Sequence, residues 1–561
     1  MLFDNDGDGN EDLTHVFQQR RRWRYHLLPR IPALDQDEVM HKIEGNDPSF
    51  TTLEVGSSDE GYHLPPGDDW DRFGRAIGNN THLKEMSLHD SDGAIPIEFL
   101  LYFLHGCALN RSIQKLSFAG WDLYNEAILN ILIQFFNDNG AFECLEVDDN
   151  CEREHGALAS ALQRFVSLKE FKFTNDDSRW ACLDNAIVAL FGHSGLRKLT
   201  ITNVQIERKG CAALAKLLQT PRSELTALHL LDARINDQWV NIFASGLSRN
   251  STLTELEIRG AGEVTVFGWQ AILAALPKCE VKKLAISSGG NEVNDTVILS
   301  LSNALLHKTS LKTLDLSDNG SITIVGWNVL FRLLQGSTSA LETLNLSCNS
   351  ITDVGIDALA NVLVNNKRLR ELNLQRNQYV TAAGWVALSI ILRDPNSVLE
   401  KLDLSRNRIN DNVMVSYADA LSINSKLREL NLDLNSNSII TAESYAGFTH
   451  ILCNISSVLS TYHSNHTLEK LSGESNEQLL PQDLRSLLQL NKENIESQAA
   501  RRKINATHFS GREINMQPFM DMGLIIRPHA IAWMAREGNV YQFLQAMPSL
   551  LEKAERKDRR E

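Results

Sequence analysis

One pattern recurs five times between residues 311 and 435: LKTLDLSDN from Leu311, LETLNLSCN from Leu341, LRELNLQRN from Leu369, LEKLDLSRN from Leu399 and LRELNLDLN from Leu427. Each copy has apolar residues at offsets 0, 3 and 5 and Asn at offset 8. The closing L-x-L is the period of a strand. The segment after each strand has helical spacing. In ITDVGIDALANVL, Ile356, Leu359, Ala360 and Leu363 fall at i, i+3, i+4 and i+7, on one helix face. Asp353, near that helix start, suits the positive end of the helix dipole. Neither half of such a strand–turn–helix–turn unit buries its apolar face alone, so stacking on neighbouring units supplies the core. A chain of 561 residues is too long for one ordinary compact domain, but not for an array that grows in one dimension.

The frame runs backward with weaker spelling. It reads VKKLAIS from Val281, LTELEIR from Leu253, LTALHLL from Leu225, LRKLTIT from Leu196, LKEFKFT from Leu168, FECLEVD from Phe142, IQKLSFA from Ile113 and LKEMSLH from Leu83. FTTLEVG from Phe50 reads as a first member and LEKLSG from Leu468 as a last one, which makes about fifteen units. The L-x-x-L-x-L-x-x-N strands, together with helical segments such as SITDVGIDALANVL, resemble the ribonuclease-inhibitor type of leucine-rich repeat over roughly residues 50 to 471. The resemblance implies an α/β fold: a leucine-rich-repeat solenoid, or horseshoe, with a parallel β-sheet on the concave face and helices on the convex face. It says little about function, because one architecture hosts many.

A second period lies inside the first. Gly268-Trp269, Gly326-Trp327 and Gly384-Trp385 recur every 58 residues, which is two units, and Gly355-Ile356 holds the matching place in an intervening unit. The centre therefore reads as a duplicated two-repeat module. The tryptophans fit a row of aromatic anchors or fillers of the helix–sheet core, and their alignment with Ile356 favours the core. Asn319, Asn349, Asn377, Asn407 and Asn435 are expected to satisfy backbone groups at the turn after each strand. Earlier units hold Val204, Ala233, Ala261 and Gly289 there, which predicts a less regular N-terminal half.

The flanks fall outside the frame. Residues 1–45 read as an N-terminal extension or cap, partly disordered, residues 46–471 as the solenoid, and residues 472–561 as a helical C-terminal cap with a charged tail. In the extension, Asp4, Asp6, Asp8 and Asp12 form D-x-D-x-D-G-x-x-D, similar to a calcium loop. His15 replaces the closing Glu of an EF-hand loop and no helix precedes it, so a solvated acidic end is the competing reading. QRRRWRY (residues 19–25) fits a localisation signal, exposed chain or an end cap. In the cap, Ile531, Trp533, Met534, Tyr541, Phe543 and Leu544 are the candidate buried residues, with a partner-binding helix pair as the alternative.

The formal net charge of −15 disfavours general nucleic-acid and anionic-lipid binding, which need cationic surface. The eight scattered cysteines show no CxxC pair and are expected to be reduced, mostly buried thiols. The start has no apolar core of a signal peptide and no run is long enough to span a membrane, so the cytoplasm is expected, with the nucleus as the other candidate. There is no phosphate loop, H-E-x-x-H, G-x-S-x-G or kinase signature, and His229 reads as a bystander.

These observations point to a non-enzymatic scaffold or adaptor, a monomer without cofactor, binding a protein partner through the concave face. Strand residues between the core leucines point away from the helices. The candidate contacts are Glu257, Arg259, Asp315, Asn345, Asn373, Gln375, Lys401, Asp403, Asn431 and Asp433. Asp and Asn at the middle strand site recur in the repeat family, so part of the stripe belongs to repeat spelling. Two alternatives are a GTPase regulator resembling the Ran GTPase-activating proteins, without the acidic tail typical of them, and a calcium-tuned binder using the N-terminal Asp cluster.

Overall fold

A computed structural model describes residues 36–56, 69–89, 96–119, 125–149, 156–165, 168–175, 181–193, 195–220, 223–289, 292–306, 308–335, 340–364, 366–433, 442–472 and 480–508. The Asp4–Asp12 cluster, QRRRWRY, Asn435 and the candidate buried residues from Ile531 to Leu544 lie outside them. The chain divides into two compact units: one runs to Asp149 and includes residues 164–167, and the other holds the rest.

The first unit alternates helix and strand: α1 (Gln36–Glu44), β1 (Thr52–Gly56), α2 (Asp69–Asn79), β2 (Glu85–His89), α3 (Ile97–Cys107), β3 (Lys115–Ala119), α4 (Glu126–Asp138) and β4 (Cys144–Asp149). Its strands pair in parallel, in chain order, with Leu53, Met86, Leu116 and Leu145 in one register row. Helix α1 lies in the segment that the repeat frame leaves out, and it buries Val39 and Ile43. Phe136 stacks on Phe142 at 4.0 Å between ring centroids and meets Phe165 edge-on at 4.4 Å.

The second unit continues as α5 (Gly156–Leu162), β5 (Glu170–Asn175), β6 (Ala181–Cys182), α6 (Asp184–Leu190), β7 (Lys198–Thr202), β8 (Val204–Gln205), α7 (Arg208–Gln219), β9 (Ala227–Leu231), α8 (Asp237–Leu247), β10 (Glu255–Arg259), α9 (Val266–Ala275) and β11 (Lys283–Ile286). Then come α10 (Asp295–Leu305), β12 (Thr313–Asp315), α11 (Ile324–Gln335), β13 (Thr343–Asn345), α12 (Asp353–Leu363), β14 (Glu371–Asn373), α13 (Ala382–Leu388), α14 (Ile390–Arg393), β15 (Lys401–Asp403), α15 (Asp411–Leu421) and β16 (Glu429–Asn431). Helices α16 (Ala442–Leu452), α17 (Val458–Tyr462), α18 (Gln482–Glu493) and α19 (Glu496–His508) close the described chain. Ten strands pair in parallel from β5 to β16, skipping the small β6–β8 pair, and Phe171, Leu199, Leu228, Leu256, Leu284, Leu314, Leu344, Leu372, Leu402 and Leu430 occupy one row. Every member of that row is buried. This is the helix-on-parallel-sheet repeat architecture read from the sequence.

The asparagines after the strands are architectural. Asn349 Nδ2 donates to the Leu316 carbonyl of the preceding unit (3.0 Å) and to its own Leu346 carbonyl (3.0 Å), while its Oδ1 accepts the Asn319 N–H (2.9 Å). Asn407 bonds the Leu374 and Leu404 carbonyls in the same way and accepts the Asn377 N–H. A second set escaped the sequence reading: N-x-x-[LIF] just before many of the strands. Asn110 Oδ1 accepts the Ser112 and Ile113 N–H groups, and its Nδ2 reaches the Ile77 and Asn80 carbonyls. Asn139, Asn250, Asn424 and Asn465 likewise reach back to a carbonyl of the unit before. Where this Asn is missing, another donor serves: His193 meets the Leu162 carbonyl, Cys279 Sγ the Leu247 carbonyl, and Lys308 Nζ the Leu276 carbonyl.

The early units lack the first asparagine yet keep their strand register, which differs from the expected irregularity. Their strands are longer, five residues in β7, β9 and β10 against three in β12 to β16. The middle strand residue accounts for the difference. Asp315, Asn345, Asn373, Asp403 and Asn431 each use Oδ1 to accept the N–H two residues on, which takes that donor out of the ladder. Thr200, His229 and Glu257 at the same site make no such turn. Gly260, at φ +63°, turns the chain after β10, where an added Cβ would stand 1.9 Å from Asp232 Oδ1.

The 58-residue period has a physical cause. Asp295 opens α10, and its Oδ1 accepts the Thr323 N–H at 2.8 Å and its Oδ2 the Thr323 hydroxyl at 2.5 Å. It thereby caps α11, the helix of the next unit. Asp353 does the same for Thr381, and Asp237 accepts the N–H and hydroxyl of Thr265. The carboxylate lies against the glycine of the next helix: a Cβ at Gly326 would stand 2.4 Å from Asp295 Oδ1, with like distances at Gly268 and Gly384. In alternate units, then, the capping carboxylate itself demands glycine in the next helix. Gly326→Ala is expected to cost about 2 kcal/mol by overpacking, and Asp295→Ala about 1 kcal/mol through the lost cap. In a denaturant double-mutant cycle the pair should cost less than the sum, because removing the carboxylate vacates the space. Strict additivity would refute this coupling.

Trp269, Trp327 and Trp385 are buried at 1% exposure or less, as is Ile356. They fill the core and are not surface anchors. Cys107, Cys211, Cys279 and Cys453 are also buried, and burial pushes the Cys211 thiol up to about 12 and Cys279 to about 11, which makes them poor nucleophiles. Among the described residues, no helix is long and apolar enough to cross a membrane.

Candidate functional site

The outward positions of β7 to β16 are where side chains remain for recognition, and the structure groups the sequence candidates in two clusters. In the first, Arg259 on β10 contacts Glu257 on its own strand and reaches over β11 to Asp315 on β12, Nη2 to Oδ2 at 2.7 Å, and to the Ser317 hydroxyl at 2.8 Å. The small Ala285 on β11 leaves room for that crossing and is fully covered. Asn345 Nδ2 donates to the same Asp315 oxygen at 2.8 Å. Burial raises the Asp315 carboxyl, but the Arg259 guanidinium and the Ser317 hydrogen bonds outweigh it and hold it below its usual value. Burial opposes the charge on Arg259 too, and Asp315 and Glu257 more than restore it.

The second cluster covers β14 to β16. Lys401 Nζ stands 3.3 Å from Glu429 and 3.7 Å from Glu371, one on each neighbouring strand. Asp403 Oδ2 accepts from Asn431 Nδ2 at 3.0 Å. The adjoining outward row is an alternating ion-pair ladder: Lys312 with Glu342 (2.9 Å), Arg370 with Glu400, and Arg428 with Glu469. Exposed pairs of this kind contribute little stability, but they neutralise the row locally.

The stripe therefore needs correcting as a set of binding residues. Asp315, Asn345, Asn373, Asp403 and Asn431 each spend one oxygen on their own turn, so they carry architecture as well as surface. Sequence reading had no access to this division, since the turn closes only once the strand ends. At the start of the face, Glu257 comes together with Glu255 and with His229, which the sequence left as a bystander. His229 on β9 faces Glu257 directly across to β10, and its Nε2 lies 3.1 Å from Glu255 Oε1 and 4.0 Å from Glu257 Oε2. Burial lowers the His229 pKa, against the pull of both carboxylates and with Lys198 adding to the lowering, so the ring is neutral at pH 7. The Glu255 carboxyl is raised by burial and lowered more by Lys283 and His229.

A family model described as Leucine Rich repeat matches residues 307–326, 340–360 and 396–412. The Mus musculus protein named NACHT, LRR and PYD domains-containing protein 14 is 29% identical over 251 residues, spanning 44% of this chain and 25% of that protein. The Homo sapiens protein named NACHT, LRR and PYD domains-containing protein 12 is 27% identical over 259 residues, 45% of this chain and 24% of that protein. The chain thus spans about a quarter of the length of these relatives. The crystal structure of Rad7 and Elc1 complex in yeast is similar over 78% of this chain and 96% of that chain, at 15% identity and a TM-score of 0.39. On its repeat spelling, strand register and matching family model, the chain is a leucine-rich-repeat protein.

Proposed function

We propose that this protein is an interaction scaffold that holds a protein partner on the outward strand face of β12 to β16. The supporting observation is how the side chains divide. Both asparagine sets, the tryptophans and the Asp–Thr–Gly caps are consumed in holding units together. What remains on β12 to β16 and at their ends is a run of carboxylates and amides, Asn345, Asn373, Gln375, Asp403, Asn431 and Asp433, beside an Asp315 whose oxygens are already held by Ser317, Arg259 and Asn345. Such a surface fits a partner presenting Lys, Arg and backbone N–H donors.

The test keeps the turns and changes the surface. Gln375→Arg, Asp403→Asn and Asp433→Asn together retain the Oδ1 acceptors of the turns while removing most of the negative charge of the face. Asp357→Lys with Asp419→Lys alters exposed positions on α12 and α15 as a control. Affinity capture followed by mass spectrometry is expected to lose partners with the strand-face variant, at least tenfold in recovery, and keep them with the helix variant. The opposite pattern would place recognition on the helices.

A further inference from the structure

We propose that His229, Glu255 and Glu257 form a binding site for a first-row divalent metal ion of the zinc class on the strand face of β9 and β10. The inference is independent of the partner-binding reading. The three ligand atoms, His229 Nε2 and one oxygen from each carboxylate, lie within 4.8 Å of one another. Around a tetrahedral ion, ligands about 2.1 Å from the metal stand about 3.4 Å apart. The observed separations of 3.1 Å and 4.0 Å from Nε2 bracket that spacing. One imidazole and two carboxylates suit zinc, and three protein ligands leave a coordination position for water or for a side chain of another molecule.

A second observation is independent of the cluster. His229 is 9% exposed, and its Nε2 has no hydrogen-bond partner. Nε2 stands near both carboxylates, 3.1 Å from Glu255 Oε1 and 4.0 Å from Glu257 Oε2, without the alignment of a hydrogen bond to either, and a shared ion would take up both oxygens. The other ring nitrogen, Nδ1, lies 3.3 Å from the Thr200 hydroxyl on β7. An Nδ1–H donated to Thr200 leaves the Nε2 lone pair facing two anionic oxygens, an arrangement that a cation relieves. Arg259 holds the other oxygen of Glu257, as an outer partner commonly orients a ligating carboxylate. Lys283 Nζ, 2.5 Å from Glu255 Oε1, is the competing cation, and its half-exposed chain is free to swing away.

That competition gives the test a distinctive sign. Zinc binding to the full chain is measured by calorimetry, and cobalt substitution is followed by its visible absorption. The wild type is expected to bind one equivalent more than His229→Gln or Glu257→Gln, with affinity at that site reduced at least a hundredfold in either variant. Lys283→Ala should tighten binding about tenfold, whereas a merely structural ion-pair network would gain nothing from losing its lysine. Should His229→Gln fail to fold, Glu257→Gln and Lys283→Ala carry the same comparison. Equal stoichiometry in all variants, or no tightening in Lys283→Ala, overturns the site.

Discussion

Trp327→Ala is expected to destabilise the second unit by about 3–5 kcal/mol, the range for removing a buried aromatic side chain. Trp327 is 1% exposed and stacks on Phe331, with ring centroids 6.1 Å apart and planes 16° from parallel. Its indole N–H has no hydrogen-bond partner, so Trp327→Phe forfeits volume alone and should cost about 1–2 kcal/mol. Val325, two residues earlier and 63% exposed, is the control, and Val325→Ser should lie within about 0.5 kcal/mol of wild type. Denaturant unfolding orders the three variants. An aromatic anchor would give the reverse result, unchanged stability and lost binding. In an array where each unit rests on its neighbours, the loss should also spread to adjacent units as faster amide exchange in α10 and α12.

The second large effect lies at Lys503 on α19. Its ammonium is buried at 1% exposure and donates to the Leu452 carbonyl at 2.7 Å and the Asn465 carbonyl at 3.2 Å, with His466 Nδ1 at 3.3 Å. Burial lowers its pKa from 10.5 to about 7, with Cys453 opposing. Burial and the Lys503 charge together push His466 down to about 4, so His466 is neutral wherever Lys503 titrates. Between about pH 7 and 10.5 the unfolded chain holds a proton on this lysine that the folded chain does not. Stability therefore rises with pH across that window and is flat below it, at about 1.4 kcal/mol per pH unit. The buried thiols have raised pKa values and act in the opposite sense as pH approaches their unfolded value near 9. The clean interval is pH 7 to 8.5, where about 2 kcal/mol of protection should appear in the amides of residues 496–508. Lys503→Met should abolish the slope. A slope that persists in Lys503→Met would assign it to another group.

Much of the fold was legible in the sequence, and the parts that were not share a cause. The L-x-x-L-x-L spacing carries the strand register from Leu199 to Leu430 because a repeated spelling makes every unit meet its neighbour in one way. The tryptophans were readable as core because Ile356 takes the same place. The reason for their 58-residue period was not readable: Asp295 looks like an ordinary acidic residue at a helix start, and its second role, capping Thr323, exists only when two helices lie side by side. The asparagines before the strands were visible as N-x-x-[LIF] and went unread, since Asn in a turn has many local uses. His229 and Glu257 sat in one column of the aligned strands. Glu255 joins them only through a side chain leaning along the face. The acidic stripe was over-read, because one oxygen of Asp315 and of Asp403 closes a turn.

The most direct measurement is hydrogen–deuterium exchange of the full chain with and without a partner recovered by affinity capture. Recognition by the outward strand face predicts new protection in residues 343–348, 371–376 and 401–406, with exchange in α11, α12 and α15 unchanged. Protection confined to those helices, with the strand segments unaltered, would contradict it.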